Sequence, residues 1–277
     1  MSERGTSEHG GAARKAQDAA AEVEDHRATS WVEAVGQSAN GVVHMVIGGI
    51  ALGIALGSGG GDAGGSADQS GAMAAIRQTP LGGIALWVVG IALVGLALHA
   101  FVIAVASSRD ERRNALRAAG RGIGHAVVGG TALVFAAGGS VDGEDATESF
   151  SSGLIQHPAG PWLLGAAGLV IAGVGVAFVI RGVRRTFFED VAPPRRFRRL
   201  VEALGMPGFV AKGIAVTIVG ALFVVAGVRH DPGETGGLDG ALQSLTTVPG
   251  GVIALVAIAA GLIVYGAYCV ARGVWAR

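Results

Sequence analysis

Residues 40–50 read NGVVHMVIGGI, and residues 121–131, 81 positions later, read RGIGHAVVGGT. Both open with a polar residue and a glycine, place a histidine (His44, His125) four residues after the polar one, and close on Gly-Gly or its extension. Residues 212–222, KGIAVTIVGAL, keep the polar–Gly opening and a later glycine but put Val216 where the histidine stood. A phrase that opens an apolar segment three times marks three copies of one building block.

Working outward, the chain of 277 residues is 51% hydrophobic and only 15% charged, with 48 glycines and a mean hydropathy of +0.52. Soluble domains carry about 25% charge, so most of this chain is built for an apolar solvent. Glycine inside apolar segments lets helix backbones approach closely in lipid. The zero net charge gives no global field to attract nucleic acid. Cys269 is the single cysteine, which excludes an intrachain disulfide.

Residues 1–30 are polar and lack an apolar h-region, so they read as a disordered cytoplasmic tail and not as a secretory signal. Six apolar stretches follow, near 41–57, 81–106, 122–139, 160–181, 213–228 and 250–271. The even-numbered stretches reach the roughly 20 residues that cross a hydrocarbon core of about 30 Å. The odd ones are shorter, and each is preceded by a mixed segment such as Trp31, Val32 and Val35 or Leu200, Val201 and Leu204. That prefix either continues the helix or lies in the interface.

Charge sets the orientation. Nineteen of the twenty-one basic residues fall in the N-terminal tail, residues 107–121, residues 181–212 and the C-terminus, while the other three loops hold nine acids, from Asp62 to Asp239. The positive-inside bias therefore puts both termini in the cytoplasm of a cytoplasmic-membrane protein with six spans.

The outer loops repeat as well. Each ends in proline with a glycine two residues on (Pro80/Gly82, Pro158/Gly160, Pro249/Gly251) and has an aliphatic residue four positions before the proline (Ile76, Leu154, Leu245). Proline suits a helix's first turn, where its missing N–H costs nothing. Residues 71–76 and 240–245 share a small-apolar pattern consistent with a short surface helix. The expected fold class is an all-α integral membrane protein with six transmembrane helices. They form three tandem parallel hairpins, residues 31–107, 108–187 and 188–277, about a pseudo-threefold axis along the membrane normal.

These recurring stretches, Asn40–Gly49, Arg121–Gly130, Lys212–Gly220, and Asp68–Gly82 with its counterparts, resemble domain-of-unknown-function family 1206 across roughly residues 35–275. The resemblance implies a multi-pass prokaryotic membrane protein without an assigned activity, and it supplies no catalytic residues. In that family the position of His44 and His125 is commonly aromatic, so histidine here is a departure.

The candidate sites are few. His44, His99 and His125 are the imidazoles inside the apolar spans, a possible set for haem or a metal, because intramembrane ionisable groups are functional candidates. Weighing against ligation, no carboxylate lies mid-span to orient them, and Val216 breaks any threefold ring. Helix packing with a backbone-bonded neutral imidazole is favoured. The lack of mid-span acids also disfavours a proton- or sodium-coupled transporter. Gly49, Gly53 and Gly57 form a ridge on one face of the first span, expected to pack against a neighbour. Arg195, Arg196, Arg198 and Arg199 form the strongest basic cluster, placed to meet anionic lipid, with Phe187, Phe188 and Phe197 dipping into the interface. Trp162 and Trp275 are expected as interface anchors at opposite ends. Ser151, Ser152 and His157 lack an orienting base, and the glycines of residues 120–124 open a span instead of following a strand, so neither makes a hydrolase nor a phosphate loop. The expected function is a non-enzymatic structural or accessory membrane component that contacts lipid and other membrane proteins and no nucleic acid. A passive facilitator for a small solute stands second, and a haem- or metal-binding subunit third.

Overall fold

The computed structural model describes residues 34–57, 66–106 and 112–275. Among them the chain is helical throughout, without a strand. Six long helices are α1 (Ala34–Ala55), α3 (Gly82–Ala106), α4 (Arg112–Ala136), α6 (Gly160–Val183), α7 (Arg198–Arg229) and α9 (Gly251–Trp275). Three short ones lie between them: α2 (Gln69–Arg77), α5 (Gly143–Ile155) and α8 (Gly237–Ser244). The short helices share one end of the bundle, the acidic end; the arginines of residues 181–199 mark the opposite, basic end.

Five of the long helices are long and apolar enough to cross a membrane: α1, α3, α6, α7 and α9. The sixth, α4, has the same 25 residues as α3 and α9. Its first half, however, carries Arg112, Arg113, Arg117, Arg121 and His125, which lower its hydropathy below that of the others. The prefixes before the odd-numbered stretches continue the helices. α7 runs unbroken for 32 residues through Pro207, and α4 is helical from Arg112 past Arg121. Trp31 and Val32 lie outside the described residues. His44 therefore sits ten residues along α1, about 15 Å from its first residue.

The Pro-x-Gly motif has a local physical cause. After each short helix the chain makes the same two turns, with Thr79 N–H donating to Ile76 O and Gly82 N–H to Thr79 O (3.0 and 3.0 Å). His157/Leu154 and Gly160/His157 repeat the pattern at 3.1 and 2.8 Å, and Val248/Leu245 and Gly251/Val248 at 3.4 and 3.0 Å. A methyl group on Gly82, Gly160 or Gly251 would collide with the carbonyl oxygen of Ile76, Leu154 or Leu245. Only glycine lets the next long helix start against the previous one. Asp68 and Asp142 cap α2 and α5, accepting from Gly71 N (2.9 Å) and from Glu144 N and Asp145 N (2.9 and 3.1 Å).

The long helices pair across the copies of the repeat. α3 packs along α4 and α6 along α7, and α9 lies against α1 through Gly41, Gly48, Gly266 and Gly273. Each seam uses small residues spaced by seven: Gly41 and Gly48, Gly122 and Gly129, Gly213 and Gly220 on one side. Their partners are Gly266 and Ala259, Gly90, and Gly175 and Gly168. A methyl added at Gly48 would lie 2.6 Å from Ala259 O, one at Gly168 2.6 Å from Gly220 O, and one at Gly129 3.1 Å from Gly90 O. Counted from the repeated phrase, the three seams share one register. The expected ridge of Gly49, Gly53 and Gly57 does not form a contact: a methyl at Gly49, Gly53 or Gly57 meets nothing within 4 Å. The helix is rotated so that Gly41 and Gly48 face α9 and the G-xxx-G face looks outward.

The half of the bundle nearest the acidic end is a continuous apolar core built from Ala51, Met73, Leu86, Phe135, Leu255 and Leu262 with their neighbours. The other half holds a second cluster centred on Phe187, Phe209, Tyr265 and Tyr268. Large apolar side chains nonetheless cover the outside: Ile91 is 62% exposed, Val170 68% and Ile253 78%. That apolar surface has no place in water.

Candidate functional site

The polar residue of the repeated phrase is Asn40 in α1, Arg121 in α4 and Lys212 in α7. All three point into the half of the bundle near the basic end, and they meet two different surroundings.

Around Lys212 the space is filled. Its Nζ donates to Tyr265 Oη (3.2 Å) and lies over the Tyr265 and Phe178 rings, 4.3 and 5.2 Å from their centroids. Tyr265 stands edge-on to His44 (4.8 Å) and to Phe209 (5.2 Å), and Phe209 edge-on to Tyr268 (5.3 Å). The Arg181 guanidinium lies 5.2 Å from the Phe209 centroid. Face-on aromatic rings and a phenol oxygen accept a cation that no carboxylate neutralises. His44 Nδ1 is held 2.8 Å from the Asn40 carbonyl oxygen, one turn back on its own helix. This is the backbone-bonded imidazole that helix packing calls for.

Around Asn40 and Arg121 the space is open. A cavity of about 450 Å³ is lined by Gln37, Asn40, His99, Arg121, His125 and Arg272, with Leu93, Leu96 and Val128 as its apolar wall. His99 and His125 thus share one cavity, whereas His44 is turned toward Tyr265 and does not line it. The three histidines do not converge, and among the described residues no group of three or more histidine, cysteine or acidic side chains is placed to hold a metal.

The two surroundings are counterparts. Leu96 and His99 stand 14 and 17 residues after the glycine that starts α3, and Tyr265 and Tyr268 stand 14 and 17 residues after the glycine that starts α9. Gln37 and Phe209 each precede the polar residue by three, while His44 and His125 each follow it by four. Where the third copy places three aromatic rings, the first places Gln37, Leu96 and His99, and the cavity is the volume those rings would fill.

The remaining sequence candidates are structural. Arg195, Arg196, Arg198 and Arg199 are exposed at the basic end, with Arg196 over Phe197 (4.7 Å) and Arg198 over Phe188 (5.2 Å). Phe187 does not dip outward. It is fully buried, stacked on Phe209 (5.7 Å), and its carbonyl accepts from Tyr268 Oη at 3.3 Å. Trp162 is 83% exposed near the acidic end, as an interface anchor should be. Trp275 instead stacks on Phe197 (5.0 Å), and its carbonyl accepts from Ala192 N (2.9 Å). Asp190 ties this loop down through Arg181 and, at 3.8 Å, Arg272. Asn40 donates to the buried Cys269 sulfur at 3.5 Å. Ser151 donates to Thr147 O (2.9 Å) and accepts from Thr235 Oγ1 (2.9 Å), so its hydroxyl links loops.

Sequence reasoning overlooked Gln37, Arg121 and Arg272 as site residues. Arg121 had been read as a marker of orientation, but its recurrence at the position of Asn40 and Lys212 was the available signal.

A helical bundle with apolar flanks, polar ends and five membrane-length helices has the make-up of a multi-pass membrane protein. The chain belongs to the Domain of Unknown Function (DUF1206) family, whose model matches it three times, at residues 35–107, 116–185 and 207–276. It is similar to the uncharacterized protein YxxB of Bacillus subtilis (strain 168), 28% identical over 217 residues, which is 75% of this chain and 78% of that protein. No solved structure matches.

Proposed function

We propose that the protein is a six-span component of the cytoplasmic membrane with both termini in the cytoplasm, built as three parallel hairpins about a pseudo-threefold axis and serving a non-enzymatic structural or accessory role. The observation that carries the architecture is the common register of the three seams, α3 with α4, α6 with α7 and α9 with α1, through small residues at matching positions. In this reading the last hairpin closes on the first, and α4 crosses with its arginines held within the bundle or drawn to the basic interface. An accessory role is supported by the packed acidic half, where Ala51, Met73, Phe135 and Leu255 occupy the space an axial solute path would need. The exposed arginines at residues 195–199 suit a membrane surface rich in anionic lipid.

Two measurements test the proposal. Single cysteines at Thr246 and at Arg199, in a Cys269→Ser background, are exposed at opposite ends; an impermeant thiol reagent added outside intact cells should label the first alone. Cytoplasmic labelling of Thr246→Cys would overturn the orientation. Co-purification of a defined membrane partner in mild detergent supports the accessory role. Solute flux into protein-containing liposomes above empty controls would replace it with the facilitator.

A further inference from the structure

We propose that the cavity between α1, α3, α4 and α9 is a binding site for a small phosphate-bearing anion. Its polar wall consists of Gln37, Asn40, His99, Arg121, His125 and Arg272, and it contains no aspartate or glutamate. Two guanidiniums facing one enclosed space, beside Leu93, Leu96 and Val128, lack the solvation that water would give them. Asp190 approaches Arg272 at 3.8 Å from outside the cavity. Arg121 forms no ion pair among the described residues, although it lies nine residues inside α4, about 14 Å from the helix start. The guanidinium fork matches the paired oxygens of a phosphate or carboxylate. The amides and imidazoles supply further donors of the kind such an anion uses up. A volume of about 450 Å³ falls within the range of small-ligand sites and exceeds what a bare ion requires.

The third copy of the repeat shows how this fold disposes of the same space when no ligand is needed. There Phe209, Tyr265 and Tyr268 occupy the volume, and their rings and phenol oxygen take up the charge of Lys212. The first copy has Gln37, Leu96 and His99 at those positions and leaves the arginines facing a hollow. Substitution has exchanged an internal aromatic acceptor for an open site that an external anion completes. That anion is either the headgroup of an anionic phospholipid or a soluble phosphate.

The test uses full-length protein and two probes. Inorganic phosphate is titrated calorimetrically against protein in phosphatidylcholine nanodiscs, and phosphatidylglycerol retention is counted by native mass spectrometry after delipidation. Binding in the first arm assigns a soluble phosphate, and retention in the second alone assigns a lipid headgroup; either supports the site. Arg121→Gln should weaken the productive arm at least tenfold. The double variant Gln37→Phe/Leu96→Tyr, which copies the aromatic filling, should abolish binding while melting no lower than the parent, so it decides the matter even if Arg121→Gln fails to fold. Arg195→Gln/Arg196→Gln, on the exposed face, should leave binding unchanged. Absence of binding to both probes, or binding that survives the filled cavity, overturns the proposal.

Discussion

Replacing Gly168 by alanine tests the seam between α6 and α7 directly. The added methyl would stand 2.6 Å from the Gly220 carbonyl oxygen, 2.7 Å from Val224 N and 2.8 Å from Val224 Cγ2. Ordinary contacts of a methyl carbon begin near 3.5 Å, so the helices must separate by close to an ångström or distort. Both nearest atoms belong to backbone that cannot rotate away. Overpacking of this kind costs about 1–3 kcal/mol, and alanine's better helix propensity, up to about 1 kcal/mol in water, offsets part of it. Gly49→Ala is the matched control, because nothing lies within 4 Å of its methyl. It keeps the propensity gain without the clash and should be neutral or stabilising. Reversible unfolding of purified protein in mixed micelles, driven by increasing the denaturing detergent, should place Gly168→Ala below wild type by about 1–2 kcal/mol and Gly49→Ala at or above it. The double variant Gly168→Ala/Gly220→Ala should cost less than the sum of its parts, since both methyls open the same seam. Equal effects at Gly168 and Gly49, or the reverse order, would refute the register argued for α6 and α7 and the outward face of α1.

Other perturbations follow the same geometry. Lys212→Met removes a cation that aromatic faces accept and no carboxylate neutralises; a long apolar side chain of similar shape should leave stability within about 1 kcal/mol, and a larger loss on the unfolding curve would show a tighter polar role. At the acidic end, burial and then the charge of Asp239 raise the Glu144 carboxyl above the ordinary glutamate range, and burial raises Asp239 likewise. A raised folded-state value means the folded form holds its proton more tightly, so this contribution is fully present below the unfolded value and is lost as pH rises through the folded one. Melting in detergent should therefore move upward as pH falls from 7 toward 5, with Glu144→Gln flattening the response; the same slope in the variant would point to other groups. Gly160→Ala should lower the melting temperature more than Gly165→Ala, because its methyl meets the Leu154 carbonyl while that of Gly165 meets nothing within 4 Å.

How much of this was legible beforehand depends on which physical signal each residue sends. The repeated phrase, the Pro-x-Gly turns and the short outer helices could be read directly, because each depends on local backbone geometry that constrains residue type: proline in the first turn, glycine against a carbonyl. Rotation of a helix about its own axis could not be read the same way. Gly48 and Gly49 are adjacent and chemically identical, yet one touches Ala259 and the other faces outward. In a helix whose every face is apolar, hydropathy carries no phase, so the ridge was assigned to the wrong side. The phase was nevertheless present between the copies, where Gly41, Gly122 and Gly213 recur seven residues before Gly48, Gly129 and Gly220 while Gly49 gives way to Ala221 in the third copy.

The site follows the same logic in reverse. Packing positions are those where the copies agree, and a site unique to one part of the bundle must lie where they differ. Asn40, Arg121 and Lys212 share a position but not a chemistry; Leu96 and His99 differ from Tyr265 and Tyr268 at equivalent depth. Histidine alone drew attention to His44, which packs against Tyr265 and is bonded to its own backbone. Its counterpart His125, with a smaller residue across the seam, faces a cavity instead. In a repeat protein the neighbours that replace Tyr265, and not the imidazole itself, decide whether such a residue is packing or part of a site.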